Sequence, residues 1–299
     1  MESRKGLVYG FTAYALWGLF PLYFPLLKPA GAVEILAHRV VWTLVAVGLL
    51  LAAARNWAWL RRMTRRQWLL LAVAAVVIAV NWVTYIIAVN SGHTIEASLG
   101  YFINPLITVL MGVLLLNERL RPWQWAALGV GAAAVAVLTA DYGRPPWIAL
   151  VLALTFGTYG LMKKRAAMPS AESMGVEAAV LVLPALGLVA WTQVQGTAAF
   201  GHAGTGHVLL IMLLGVVTAV PLMLFIAAAQ RLPLTTLGLL QYVAPVLQFL
   251  VGLLIQHEAM PPSRWMGFTL VWVALSVLTW DALRATRKMR TGEAVTTAA

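Results

Sequence analysis

Residues 96–106 read EASLGYFINPL and open an apolar run that continues to Leu116. A helix built only to span a bilayer would use Leu, Val, Ile and Ala throughout. This one begins with a glutamate and carries Gly100, Tyr101, Asn104 and Pro105 in its first half. Pro105 organises the rest. A proline inside a helix has no N–H and clashes with the carbonyl four residues back, so it frees the acceptor of Tyr101. In lipid that acceptor needs a polar neighbour or a water-filled cavity. Tyr101, Pro105 and Thr108 lie at i, i+4 and i+7 and share one helix face, with Asn104 beside them.

The stretch has a counterpart 140 positions on. Residues 105–139 and 245–279 agree at Pro105/Pro245, Gly112/Gly252, Glu118/Glu258, Pro122/Pro262 and Trp125/Trp265, and again at Val137-Leu138-Thr139 against Val277-Leu278-Thr279. Shared Leu, Val and Ala are cheap in apolar segments; Pro, Gly, Glu and Trp in fixed register are not. Gln241, Pro245 and Gln248 repeat the spacing of the first stripe, and Tyr242 adjoins them. The sequence therefore predicts two units, residues 7–140 and 146–285, each with a kinked, polar-striped helix.

Composition sets the environment. Of 299 residues, 62% are hydrophobic and 10% charged, with a mean hydropathy of +0.85. A soluble domain carries about 25% charged residues, so the chain reads as an all-α integral membrane protein. A span needs about 20 apolar residues to cross roughly 30 Å of hydrocarbon. Ten runs qualify: 7–27, 34–54, 68–89, 95–116, 123–140, 146–162, 174–194, 207–229, 234–256 and 264–283. The sixth is the shortest. The first follows a basic N-terminus but has no cleavage motif, and it is read as a retained helix. Five spans per unit turn the second unit upside down relative to the first. Such inverted repeats place a substrate site near the midplane, between the halves.

Lysine and arginine set the orientation. With the N-terminus inside, seventeen of the twenty-one fall on the inner side, and Lys28, Arg144 and Arg264 fall outside. Both termini are predicted to be cytoplasmic. The net charge of +11 does not signal nucleic-acid binding, because the basic residues sit in short loops between apolar runs. There are no cysteines, which excludes disulfides and thiolate chemistry. The five histidines are scattered, with no metal-ligand pair on a helix face. Neither metal nor cofactor is expected.

Arg39 lies inside the second span and is the most expensive residue there, at about 2.5–3.5 kcal/mol or more for a central arginine. Two readings stay open: pairing with Glu34 or snorkelling to the surface, or an anion-attracting or gating cation at the outer mouth. His38 and Glu96 are the candidates for proton coupling. Glu96 also has the simpler reading of a carboxylate at its own helix N-terminus. Glu118 and Glu258 are expected to pair with Arg119 and Arg264. The remaining substrate-binding candidates are Trp17, Asn81, Trp82, Tyr85, Tyr101, Asn104, Tyr159, Gln241, Tyr242 and Gln248. They are aromatic or polar residues in spans fit to line a cavity.

The segments WGLFPLYF (17–24), EILAHRVVW (34–42), EASLGYFINPL (96–106), LNERL (116–120) and LGLLQYVAP (237–245) resemble the RarD-type proteins of the EamA family, in the drug/metabolite transporter superfamily. The resemblance implies ten helices in two inverted EamA repeats. Spans one to four and six to nine would surround a central cavity, with the fifth and tenth peripheral. It also implies a multi-pass permease of the bacterial cell membrane. One position departs: Pro25 stands where the family usually has a lysine, and the nearest lysine is Lys28.

The expected function is thus a secondary active or facilitative permease for a small metabolite or drug, working by alternating access. The expected partners are the lipid bilayer and a small molecule; a homodimer is left open. A channel or a membrane-embedded enzyme is the alternative. No protease, esterase or nucleotide-binding motif supports the enzyme.

Overall fold

Apolar runs withdrawn from water must satisfy their backbone groups internally, and this chain does so with helices. The computed structural model describes residues 2–53, 57–116, 120–229, 231–232 and 234–296, and no strand occurs among them. The first helix, α1 (Glu2–Gly18), is followed by a short α2 (Phe20–Tyr23) and a 3₁₀ turn, Phe24–Leu27. Then come α3 (Ala32–Ala53), α4 (Ala58–Arg62), α5 (Arg65–Asn90), α6 (Thr94–Leu116) and α7 (Pro122–Tyr142). The second part holds α8 (Trp147–Ala166), α9 (Ser170–Val194), α10 (Thr205–Ala229), α11 (Leu234–Leu240), α12 (Val243–Leu250), a π-helical turn Val251–Ile255 and α13 (Pro262–Thr296).

Seven of these helices are long and apolar enough to cross a membrane, and the pair α1 and α2, bent by 40°, makes up to eight. Ten runs were expected. The remaining two are the shorter apolar helices Trp147–Lys163 and Val243–Ile255. The first is cut short by Lys163, Lys164 and Arg165. The second is short because the ninth run is broken at Gln241–Tyr242, between α11 and α12. Pro245 supplies the reason, since it has no N–H to return to the Gln241 carbonyl. The matching Pro105 does not break α6, which runs through it as one helix.

Neighbour relations close into a circuit: α1 touches α10, then follow α3, α9, α5, α8, α6 and α12, which returns to α1. Members of the first and second halves alternate at every step. Small residues permit the closest approaches. A Cβ on Gly215 of α10 would lie 2.2 Å from the Trp42 carbonyl of α3, and one on Gly100 of α6 would lie 2.8 Å from the Ala149 carbonyl of α8.

Helices α7 and α13 pack on one another and on α6. Ion pairs hold the two together near both ends: Arg264 Nε donates to Asp141 at 2.9 Å, and Arg121 pairs with Asp281 at 2.7 Å. Trp123 meets Trp280 edge-on at 5.3 Å.

Trp57, Trp68, Trp123, Trp125, Trp147 and Trp265 are exposed, as side chains in an interfacial belt are. Trp59 departs from that pattern and packs against Leu71, Ala166 and Val176.

Candidate functional site

Arg39 occupies the second turn of α3 and is only 4% exposed. The pairing with Glu34 does not occur. Glu34 Oε1 accepts instead from the backbone N–H groups of Ala199 and Phe200, both at 2.9 Å. The guanidinium lies over the Trp82 ring at 4.0 Å, with Phe20 at 5.5 Å and Phe24 at 5.9 Å. Its Nε has no hydrogen-bond partner. The phenols of Tyr101, Tyr85 and Tyr23 are the titratable groups nearest it. These residues come from α2, α5, α6 and the 3₁₀ turn, whereas the circuit neighbours of α3 are α9 and α10. Arg39 therefore points across the circuit rather than along it.

A hydrogen-bonded and aromatic chain continues from there. Tyr101 donates to Asn81 Oδ1 at 3.1 Å, and Asn81 Nδ2 donates to the Leu152 carbonyl at 3.0 Å and to Thr155 Oγ1 at 2.9 Å. Tyr85 meets Phe24 and Tyr101 edge-on at 5.9 and 5.7 Å, and its hydroxyl is buried without a partner. Tyr101 meets Phe156 at 5.7 Å, and Phe156 lies 6.3 Å from Tyr159. Tyr159 donates to Glu177 Oε2 at 3.0 Å, and Lys163 Nζ lies 2.6 Å from Glu177 Oε1.

The structure thus brings Arg39, Trp82, Tyr85, Tyr101, Asn81 and Tyr159 together. Trp17 packs against the same cluster, which holds Phe20, Phe24 and Tyr85, whereas the other candidates make different contacts. Trp17 meets Tyr14 edge-on at 5.4 Å and Phe225 at a tilt at 6.0 Å, and Gln248 Nε2 donates to the Trp17 carbonyl at 3.3 Å. Asn104 faces Gly157 of α8, with its Oδ1 unpartnered. Gln241 sits at the break between α11 and α12. Tyr242 turns to the core around α7 and α13, with Thr279 beside its hydroxyl. The break explains this, because it re-aims the chain before α12 starts.

The profile of the EamA-like transporter family matches this chain twice, over residues 4–140 and 145–280. The chain belongs to the EamA-like transporter family. Within that family it is a RarD-type protein. It is 60% identical to Protein RarD of Streptomyces exfoliatus over 97% of this chain and 92% of that one. It is 38% identical to Protein RarD of Escherichia coli over 96% and 98% of the two chains. An uncharacterized transporter of Pseudomonas aeruginosa is 44% identical over 96% and 97%. A solved crystal structure shares the fold with a TM-score of 0.60 at 22% identity, covering 93% of this chain and 98% of that one.

In this EamA-like protein one end of the bundle is cross-linked between the halves. Glu258 accepts from the first N–H groups of α6, Thr94 at 2.5 Å and Ile95 at 3.0 Å. Glu96 accepts from Arg144 at 3.2 and 2.8 Å and from Ile148 N–H, in the first turn of α8, at 3.2 Å. That hydrogen bond holds the Arg144 guanidinium above its ordinary pKa. Glu96 stands in the first turn of α6 as expected, but its hydrogen bonds go to Arg144 and to the N-terminus of α8. Glu258 was expected to pair with Arg264, which is taken by Asp141. Glu118 and Arg119 lie outside the described residues. His38 stacks on Phe200 at 4.3 Å, and His207 meets the Leu27 carbonyl at 2.8 Å. Lys28 is exposed.

Sequence reading missed three things: Glu34 as the acceptor that holds the Ala199–Phe200 loop, the trio Tyr159–Lys163–Glu177, and the α7–α13 clamp. The last had a signal, because Asp141 and Asp281 also agree at the 140-residue displacement.

Proposed function

We propose that this chain is a secondary active or facilitative permease that carries a small metabolite or drug across the bacterial inner membrane by alternating access. The reading includes ten membrane crossings in two inverted five-helix units, with both termini cytoplasmic. The observation that carries it is the alternation of the two halves around the closed circuit, with Arg39 and its aromatic neighbours pointing across it. Two halves interleaved in this way can rock against each other about a shared centre, which is how inverted-repeat carriers expose one site to two sides. The double family match and the broken ninth helix opposite α6 support the same reading. Irregular backbone at membrane depth is tolerated where protein or a water-lined cavity surrounds it.

Radiolabelled counterflow in proteoliposomes tests the proposal, with a panel of amino acids, small carboxylates and chloramphenicol. Saturable counterflow of at least one compound is the expected result. Purely diffusive flux that rises linearly with concentration would reject a carrier and favour a channel.

A further inference from the structure

Two buried hydrogen-bond donors lie in the aromatic cluster around Phe24: Arg39 Nε and the Tyr85 hydroxyl, neither with a protein partner. The Arg39 guanidinium carbon and the Tyr85 ring centre each lie 5.9 Å from the centre of the Phe24 ring. A buried donor without an acceptor pays its full desolvation penalty, and more when it is charged. A guanidinium taken out of water needs a counter-charge or excellent hydrogen bonds to be tolerated. Aromatic rings return part of this, since a desolvated cation over the face of Trp82 is attracted by the ring quadrupole. They supply no acceptor.

The acids that could serve are engaged elsewhere. Glu34 is held by Ala199 and Phe200, Glu96 by Arg144 and Ile148, Glu177 by Lys163 and Tyr159. Two unpartnered donors near one aromatic ring match the two oxygens of a carboxylate, the anion with which an arginine makes its strong charge-assisted hydrogen bonds. With those acids engaged, no free carboxylate among the three is left to pair with an ammonium. An amino acid would bring a second charge with no counter-charge from them.

We infer that the site takes a monocarboxylate with an apolar body and no α-ammonium, its carboxylate held by Arg39 and Tyr85 and its body against Trp82 and Phe20. This inference rests on the permease reading for its meaning, but it concerns binding and can be tested without transport.

Purified protein in detergent is titrated by calorimetry with 3-phenylpropionate, 3-phenylpropionamide and phenylalanine, which share a body and differ in charge. Wild type is expected to bind the acid saturably, and the amide and phenylalanine at least about tenfold more weakly. Arg39→Gln should lose binding of the acid by at least about tenfold, and Tyr85→Phe should weaken it severalfold. Arg39→Lys keeps the charge without the fork and should fall between. Gel filtration checks that each variant is folded; a variant that is not is replaced by Trp82→Leu, which should weaken the acid severalfold. Equal affinity for acid and amide, tighter binding of phenylalanine, unchanged binding in Arg39→Gln, or no binding of the acid by wild type would each overturn the inference. Counterflow of some other compound with the acid unbound would sink the carboxylate site and leave the permease standing; binding of the acid without counterflow would do the reverse.

Discussion

At the residue scale the protein spends stability on Arg39. A buried charge left without a partner is destabilising, and an apolar side chain of similar length removes that penalty. Arg39→Met is therefore expected to raise the thermal unfolding temperature in detergent while abolishing counterflow. A lower unfolding temperature would assign Arg39 to structure instead. Asn81 and Asn104 make the opposite contrast. Asn81 is 1% exposed and accepts from Tyr101 while donating to Leu152 and Thr155. Asn81→Ala leaves those groups unsatisfied and should cost about 1–3 kcal/mol. The Asn104 carboxamide oxygen has no partner to lose, and Asn104→Ala should leave the melting temperature nearly unchanged. Equal melting temperatures for the two variants would contradict this account. The sequence marked both asparagines alike, because one-dimensional spacing reports the face of a helix and not the partner opposite it.

At the element scale the two halves are joined by caps and clamps. Burial pushes the Glu258 carboxyl above its ordinary value of 4.5, against the pull of the Ile95 and Thr94 hydrogen bonds. The folded protein binds that proton more tightly than the unfolded chain. This group's contribution to stability is therefore full below the ordinary value and declines as pH rises through the raised one. Glu258→Gln should flatten that decline in thermal melts taken at a series of pH values above about 4. An unchanged slope would show that another group titrates there. The α7–α13 clamp is asymmetric in burial. Arg264 is 19% exposed beside Asp141, whereas Arg121 is 45% exposed beside Asp281. Removing one partner of a buried pair costs more than removing one of an exposed pair. Asp141→Asn should thus lower the melting temperature more than Asp281→Asn, and the reverse order would mean the exposed pair is the stronger. The helices themselves were legible from apolar runs, but their breaks were legible only in part. Pro105 and Pro245 look equivalent in sequence, yet α6 continues through its proline and the ninth run does not.

At the scale of the whole molecule, the cross-linked end must open if the carrier reading holds. Thr94 Oγ1 donates to Gln256 Oε1 there, between helices of different halves. The chain has no cysteine, so Thr94→Cys with Gln256→Cys gives a clean disulfide test. Oxidation should stop counterflow and reductant should restore it. Full exchange through the oxidised protein would show that this end need not open. By itself the sequence determined the environment, the helical class, the family and the internal repeat, because hydropathy and fixed-register matches are properties of one strand of residues. It also marked Arg39, since charge in an apolar run is visible without coordinates. Only the tertiary structure decided what Arg39 faces, which acid caps which helix, and that the two halves alternate around one circuit. Those are relations between residues tens to hundreds of positions apart, fixed by which helix packs beside which, and no local periodicity records them.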